Sequence, residues 1–157
     1  MMNKYCDSAL HQIKVALDSV IEIIDRLEEG DLSVRPAPDK RSVKEQLEHL
    51  ATICKADFFI ASGWKQEEMN RFYASVKFKD LEEIKRGISD NLKFLSESYN
   101  RLAEIELEEK ITSYWGVTYT RFEWLLEILA HVYHHRGQLY AQLVYGMGKE
   151  LNILLFE

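Results

Sequence analysis

Two histidines in the last third of the sequence have the spacing needed to bind one metal ion together. His131 and His135 are four residues apart, so on a helix their side chains project from one face, about 40° apart. Two neutral imidazoles in this arrangement can chelate a divalent ion, and zinc, nickel, copper and iron all suit them. The spacing alone is a weak indication and does not choose the metal.

A third histidine, His49, lies in a separate amphipathic segment. It points with Ile53 and Ile60 towards a second apolar edge of that segment, away from the centre of its main apolar stripe. Helical bundles bring such edges together, so His49 can complete a three-nitrogen site. The alternative is a partly exposed histidine without a ligand, and the residues alone leave both interpretations open.

Two polar neighbours of the histidine pair are expected to support the site. His134 differs in direction from His135 by about 100°, so we expect it beside the site or in solvent. Gln138 shares the face of His135 and can orient that ring through a hydrogen bond. Within the same segment, Arg136 is expected to be structural, paired with an acid, and Gly137 to have a neighbour packed closely against it.

Two carboxylates are candidate proton acceptors near a metal-bound water. Glu127 lies one turn before His131, and Asp57 lies two turns after His49. The alternative for both is a solvated carboxylate on a helix surface, the usual place for such side chains.

The segments that carry these residues are predicted to be helical. Only two prolines and seven glycines occur among 157 residues, and four long stretches have apolar residues at three- and four-residue spacing. The helices are predicted at about 4–29, from Ser42 to near Gly63, from just after Asp80, and from Thr120 to about Tyr145. Glutamates three residues after Ser42, Asp80 and Thr120 indicate capped helix starts.

Two connecting segments are less regular. Residues 64–79 have room for a short helix over one end of the bundle, and residues 110–119 are predicted as a small hairpin or an extended connection. Loop aromatics are candidates for the mouth of a pocket or for a dimer surface: Trp64, Phe72, Tyr73, Trp115 and Tyr119.

Length and composition indicate a single domain over residues 1–157, and the four amphipathic stretches indicate an all-α four-helix bundle. The net charge of -6 comes from interspersed acids and bases, which argues against a nucleic-acid surface. No apolar stretch approaches the roughly 20 residues of a membrane span, and the first residues lack the order of a secretion signal. The two cysteines match no zinc motif or disulfide framework. We therefore predict a cytoplasmic protein that binds neither nucleic acid nor membrane.

The segment HVYHHRGQL, from His131 to Leu139, resembles the H-x-x-H-H-R-G-Q-[LI] signature of the DinB/YfiT-like superfamily. The segment SVKEQLEHL, from Ser42 to Leu50, resembles the helix that carries this family's first ligand histidine. Trp115-Gly116 before the last helix is also similar, whereas the segment from Lys149 to Glu157 lacks the proline-rich end often seen. The resemblance implies an up-down-down-up bundle that binds one divalent ion, zinc or nickel, through His49, His131 and His135.

The resemblance also implies a type of chemistry. Relatives in this superfamily include transferases and isomerases that use low-molecular-weight thiols such as bacillithiol or mycothiol. It therefore favours a thiol-dependent S-transferase or isomerase acting on a small molecule, in a homodimer. The alternatives are a metal-dependent hydrolase and a non-catalytic, stress-induced binding protein. An enzyme requires a pocket beside the three histidines, whereas a binding protein would have a closed site and an apolar patch elsewhere.

Overall fold

The computed structural model describes residues 3–157 and contains four long helices, as predicted. They are α1 (Lys4–Ile24), α2 (Val43–Ile60), α4 (Leu81–Asn100) and α6 (Arg121–Ala141). Between them lie two shorter helices, α3 (Gln66–Ser75) and α5 (Glu104–Leu107), and an antiparallel hairpin of β1 (Lys110–Thr112) and β2 (Thr118–Thr120). The hairpin resolves the alternative left open for residues 110–119.

The four long helices form a bundle in which α1 and α2 each pack against both α4 and α6. Two hydrogen bonds show that α1 runs parallel to α6: Tyr133 to Gln12, and Arg136 to Ser19. Two others show that α2 runs antiparallel to α6: Gln46 to Gln142, and His131 to Asp57. Contacts of α4 with α2 advance in the same direction along both helices: Asn91 with Ala51, and Tyr99 with Phe58. The course is therefore up-down-down-up, which confirms the expectation from the resemblance.

Helix starts follow the predicted capping signals. Ser42 and Glu45 form a reciprocal capping box, with Glu45 N–H donating to Ser42 Oγ and Ser42 N–H donating to Glu45 Oε2. Asp80 and Thr120 likewise accept a hydrogen bond from the backbone three residues on. At Thr120 and Asp80 the return bond to the cap residue is missing among the described contacts, so of these three starts only that of α2 has the complete box.

The ends of two helices differ from the prediction. α1 ends at Ile24, five residues early, because the Asp31 carboxylate accepts the Glu28 N–H and pairs with Lys149, which folds residues 29–31 into a 3-10 turn. The last helix continues as predicted, but past Ala141 it widens into a π-helical turn over Gln142–Gly146. The regular α-helical pattern is therefore lost at both ends, with a separate 3-10 turn after α1 and a π-helical turn after α6.

The core lies between the four long helices and includes most residues of the predicted stripes. Ile13, Leu47, Ile88 and Leu125 are among its fully buried members. A smaller hydrophobic cluster forms where α3 covers one end of α2, and Met69, a residue of α3, is buried in this cluster. No helix within residues 3–157 is both long and apolar enough to cross a membrane. Both cysteines are buried and unpaired.

Candidate metal centre

The antiparallel packing of α2 and α6 brings three histidines together. His49 comes from α2, and His131 and His135 come from consecutive turns of α6. Their ring centroids lie 5.3 Å apart for His49 and His131, 4.3 Å for His49 and His135, and 4.8 Å for His131 and His135. One nitrogen from each ring lies within 4.8 Å of the other two, which is the arrangement of a metal-binding group. The sequence-predicted ligands are therefore gathered at one place.

Each of the three histidines has a ring nitrogen that makes no hydrogen bond and is available to a ligand. His131 Nδ1–H donates to Asp57 Oδ2 at 2.7 Å, and His135 Nδ1–H donates to Gln138 Oε1 at 2.9 Å. In both rings this leaves Nε2 as the free lone pair. His49 Nε2 is buried and has no hydrogen-bond partner within the described chain. A buried nitrogen without a partner is unfavourable, and a metal ion would satisfy it, so the residues fit such an ion.

The electrostatics keep two of the histidines neutral. Burial, the nearby Arg41 and the other two histidines lower the pKa of His49 to about 3. Burial and the neighbouring His131 likewise lower the pKa of His135 to about 4. At neutral pH both rings are therefore uncharged, and uncharged imidazole is the form that binds metals.

His131 differs from the other two because it contacts a carboxylate. Burial opposes the charged ring, but the hydrogen bond and charge of Asp57, with the charge of Glu127, outweigh it and raise the pKa of His131. Asp57 is itself buried, with 7% of its surface exposed. It is therefore not the solvated carboxylate of the alternative interpretation. Its observed partner is the His131 ring, the contact expected of a residue that orients a ligand.

The other candidate carboxylate, Glu127, faces a cleft next to the histidines. It lines this cleft together with Asp57 and His131 and is reached by solvent. Surrounding protein atoms and the charge of Asp57 raise its pKa, while His131 acts in the opposite direction. Of the two carboxylates, Glu127 is the one placed to exchange a proton with a bound molecule.

His134 lies outside the three-histidine group. Its ring centroid is 4.9 Å from that of His135, but the residue is exposed and does not share the convergent nitrogens. The predicted difference in direction between neighbouring residues of one helix accounts for this position.

Two clefts adjoin the three histidines, one on each side. The first, which we call the aromatic cleft, has a volume of about 290 Å³ and opens beside His131. Its walls include aromatic residues from α3, the hairpin and α6, namely Tyr73, Tyr114, Trp115 and Trp124. The second, which we call the cationic cleft, has a volume of about 500 Å³ and opens beside His135. It is lined by Lys40, Arg41, Gln46, Gln138 and Gln142 among others.

Only two of the loop aromatics named from the sequence line the cleft beside the histidines. Tyr73 and Trp115 do so, whereas Trp64 stacks on Phe59 at 4.0 Å and Phe72 packs against the same ring. Tyr119 packs edge-on against Trp124. Tyr114 and Trp124 also line this cleft, and neither was predicted from the sequence to do so. Their positions depend on how the hairpin folds back onto α6, for which the sequence carries no local signal.

The cationic cleft was not predicted from the sequence either. Lys40 and Arg41 directly precede the helix-capping Ser42, and this position is a usable signal, because residues just before a helix start lie at its end. Gln46 and Gln142 are hydrogen-bonded to each other across α2 and the last helix. Such pairing of distant residues is visible only in the folded chain.

Two expectations for the signature segment are wrong. Arg136 has no carboxylate within 4 Å among residues 3–157; it donates to Ser19 Oγ and to the Leu155 carbonyl oxygen. Its guanidinium carbon lies 4.5 and 4.8 Å from the ring centroids of Tyr133 and Phe156, which stack on each other. No atom approaches within 4 Å of a Cβ placed on Gly137, so close packing does not explain this glycine.

Fold and site together define a class of protein: an up-down-down-up helical bundle with three convergent histidines between two of its helices. A sequence profile of the DinB superfamily matches residues 12–139. The chain belongs to the DinB superfamily.

Solved structures agree with this assignment. The chain is similar to a DinB-family protein from Exiguobacterium sibiricum, with 29% identity and a TM-score of 0.87, covering 99% of this chain and 100% of that one. It shares its fold with DinB-like proteins from Bacillus subtilis and Bacillus cereus, both 17% identical, with TM-scores of 0.70 and 0.73. These two matches cover 99% and 94% of this chain, and 99% and 96% of theirs. No curated protein matches the sequence.

Proposed function

We propose that this chain is a metal-dependent enzyme that uses a low-molecular-weight thiol, as an S-transferase or isomerase. One zinc or nickel ion would be held by His49, His131 and His135. The observation that carries the proposal is the meeting of three convergent histidines with two separate clefts.

The number of ligands supports a catalytic site. Structural zinc is usually enclosed by four protein ligands, whereas catalytic zinc has three and leaves a position for water or substrate. Such an ion, when bound, lowers the pKa of a coordinated thiol or water. Among the described residues, three histidines form the whole cluster of metal-binding side chains. A bound ion would therefore have a coordination position free for water or substrate.

The two clefts support a reaction between two molecules. The aromatic cleft, with Tyr73 and Trp115 in its walls, suits an apolar or aromatic substrate. The cationic cleft opens on the opposite side of the histidines, at His135. A thiol and an acceptor could therefore approach the same centre without competing for one space, and this arrangement favours group transfer.

Three further side chains have roles that follow from their contacts. Asp57 holds the His131 ring, and Gln138 holds the His135 ring, each through Nδ1–H. Glu127 faces the aromatic cleft and has a raised pKa, so it is suited to accept or return a proton at a molecule bound there.

A hydrolase is the second candidate, and the position of Glu127 favours it. A carboxylate beside a three-histidine centre can serve as the base for a water molecule as well as for an organic substrate. The two reactions differ in one requirement, because hydrolysis proceeds without an added thiol. The clefts beside the histidines argue against the third alternative, a binding protein with a closed site.

The first test is metal content. Untagged wild-type protein, reconstituted with zinc or nickel and analysed by mass spectrometry, should hold one ion per chain, and His49→Ala and His131→Ala should each lose it. His134→Ala is the matched control, because it removes an adjacent histidine outside the convergent group, and it should retain the ion. Protein that stays metal-free after reconstitution would refute the metalloenzyme.

The second test separates the two reactions. Loaded protein is incubated with electrophiles such as chlorodinitrobenzene, in the presence and absence of a panel of small thiols. Thiol-dependent turnover that disappears in His131→Ala would support the transferase. Turnover of ester substrates without thiol would instead support the hydrolase.

Several sequence-based expectations stay predictions. These are the homodimer, the small-molecule substrate, the cytoplasmic location and the absence of nucleic-acid or membrane binding. Light scattering on the metal-loaded protein is the direct test of the dimer.

A further inference from the structure

We propose that the cationic cleft is a carboxylate-binding site in which Arg41 binds an anionic group of a small molecule that reaches the histidines. The part this molecule plays in a reaction rests on the proposed function, but its binding does not. The site would take a small carboxylate that also carries an N–H donor.

The lining of the cleft is the first argument. Two cations, Lys40 and Arg41, face it together with the side chains of Gln46, His135, Gln138 and Gln142, and no carboxylate lines it. The cleft thus has two cations and no acid in its lining, although the whole chain has a net charge of -6. Such a cleft concentrates anions, because low-dielectric walls focus the field of the charges within it.

The state of Arg41 is the second argument. No carboxylate oxygen within residues 3–157 lies within 4 Å of its guanidinium, so its charge is available to a ligand. The neighbouring cations differ: Arg35 is paired with Glu45 at 2.6 Å, and Lys44 lies 3.8 Å from Glu48. Lys40 is partly neutralised by Asp39 at 2.9 Å. Arg41 is therefore the main anion ligand, and a planar guanidinium matches a carboxylate in two-pronged hydrogen bonding.

Arg41 is also close enough to the histidines for one molecule to contact both. His135 and Arg41 line the same cleft. A molecule of modest length can therefore place its carboxylate at Arg41 and its other end at the centre.

A buried amide supplies the third argument. Gln46 has only 7% of its surface exposed and lines the cleft. Its Nε2 donates to Gln142, whose own Nε2 donates to the Val34 carbonyl oxygen at 3.1 Å. This chain of bonds fixes the orientation of both amides and leaves Gln46 Oε1 buried without a partner in the described chain. A ligand N–H donor directed at this oxygen would remove the deficit.

The aromatic cleft, on the other side of the histidines, has the opposite charge and should not attract anions. The aromatic cleft contains two acids, Asp57 and Glu127, and no lysine or arginine. An anionic group is therefore repelled on that side and attracted on the side of Arg41. The charge difference across the histidines gives each cleft its own class of substrate.

The test uses metal-free protein, so that no carboxylate can bind through an ion. N-acetylglycine and its neutral analogue N-acetylglycinamide are titrated at low ionic strength and followed by amide NMR. Wild type should bind the acid about fivefold to tenfold more tightly than the amide, because one charge-assisted contact is gained. The shifts should centre on residues 40–42 and on the side-chain amides of Gln46 and Gln142, and salt at about 0.5 M should weaken the preference.

Variants assign the preference to one residue. Arg41→Gln should abolish the preference for the acid, and Arg41→Lys should retain part of it. The control Arg86→Gln removes the same charge from an exposed arginine on α4 outside both clefts, and it should bind like the wild type. Equal affinity for acid and amide in wild type, or an unchanged preference in Arg41→Gln, would overturn the proposal. If the wild-type protein takes up no metal on reconstitution but still prefers the acid to the amide, this site is supported and the metalloenzyme is refuted.

Discussion

Asp57 and His131 are joined across two helices of the bundle, with Oδ2 of the aspartate 2.7 Å from Nδ1 of the histidine. The aspartate belongs to α2 and the histidine to α6. The bond selects the tautomer in which Nε2 of His131 carries the free lone pair. A carboxylate placed in this way makes the imidazole a stronger ligand and holds its orientation.

Loss of the Asp57 charge should weaken metal binding. Asp57→Asn keeps the size of the side chain but removes the charge that favours His131 as a donor, and the zinc dissociation constant should rise about 10- to 100-fold. Competition with a chromophoric chelator measures this constant. Glu127→Gln is the control, since Glu127 makes no hydrogen bond to a histidine in the described chain, and its affinity should stay close to that of the wild type. An unchanged affinity in Asp57→Asn would show that the pair does not support the ligand.

The stability of the metal-free protein should fall as the pH is lowered below the ordinary histidine range. In the unfolded chain His49 and His135 bind a proton near pH 6.5, but in the folded chain their pKa values are about 3 and about 4. The unfolded state then binds more protons, so acid favours unfolding. His131 has a raised pKa, and it offsets part of this loss. We expect a loss of about 1–2 kcal/mol between about pH 7.5 and 5.5.

Urea denaturation at the two pH values measures this loss. His49→Gln removes one of the two depressed groups and should reduce the pH dependence, whereas His134→Gln should leave it as in the wild type. A free energy of unfolding that stays constant or increases towards pH 5.5 would contradict the assignment of neutral histidines.

Two helical glycines should respond in opposite ways to alanine. A Cβ on Gly137 meets nothing within 4 Å, so Gly137→Ala should raise the free energy of unfolding by about 0.5–1 kcal/mol through helix propensity. A Cβ on Gly87 would lie 2.5 Å from the Phe78 ring. In Gly87→Ala the Phe78 ring must move, and this cost should outweigh the gain in helix propensity, so the protein should be destabilised. Urea denaturation compares the two, and a destabilising Gly137→Ala would reveal a contact that the single chain does not make.

The buried Arg136 should hold the last residues of the chain against the bundle. Arg136→Met keeps an apolar stem but loses the bonds to Ser19 and to the Leu155 carbonyl, so we expect a loss of about 1–3 kcal/mol. Limited proteolysis should cleave within residues 150–157 faster than in the wild type, while α4 should stay intact. Unchanged cleavage there would show that the packing of Phe156 on Tyr133 suffices without the guanidinium.

Local signals predicted the helices well and their ends less well. The start of α2 followed from Ser42 and Glu45, because a capping box is made by residues three apart. The end of α1 did not, since the apolar spacing continues past Ile24 while Asp31 forms bonds that stop the helix. One partner of Asp31 is Lys149, 118 residues away in the sequence, and no window of local sequence contains both.

The candidate site also contains some contacts that local sequence predicts and others that only the tertiary structure shows. The relation of His131 to His135 is a property of one helix, and so is the contact of His135 with Gln138, three residues on. The hydrogen bond of Asp57 to His131 joins residues 74 apart in the sequence. The sequence singled out Asp57 as a candidate but could not say whether it faced solvent or a histidine.

Periodicity and capping determined the helices, and the spacing of histidines in two of them, together with the family signature, determined the candidate ligands. The antiparallel approach of α2 to α6 decided that His49 completes the group and that Asp57 orients it. Tertiary packing alone also placed a cationic cleft on one side of the histidines and an aromatic cleft on the other. The physical reason is range: helix geometry relates residues within a few positions, whereas clefts and hydrogen bonds between helices depend on how distant segments pack.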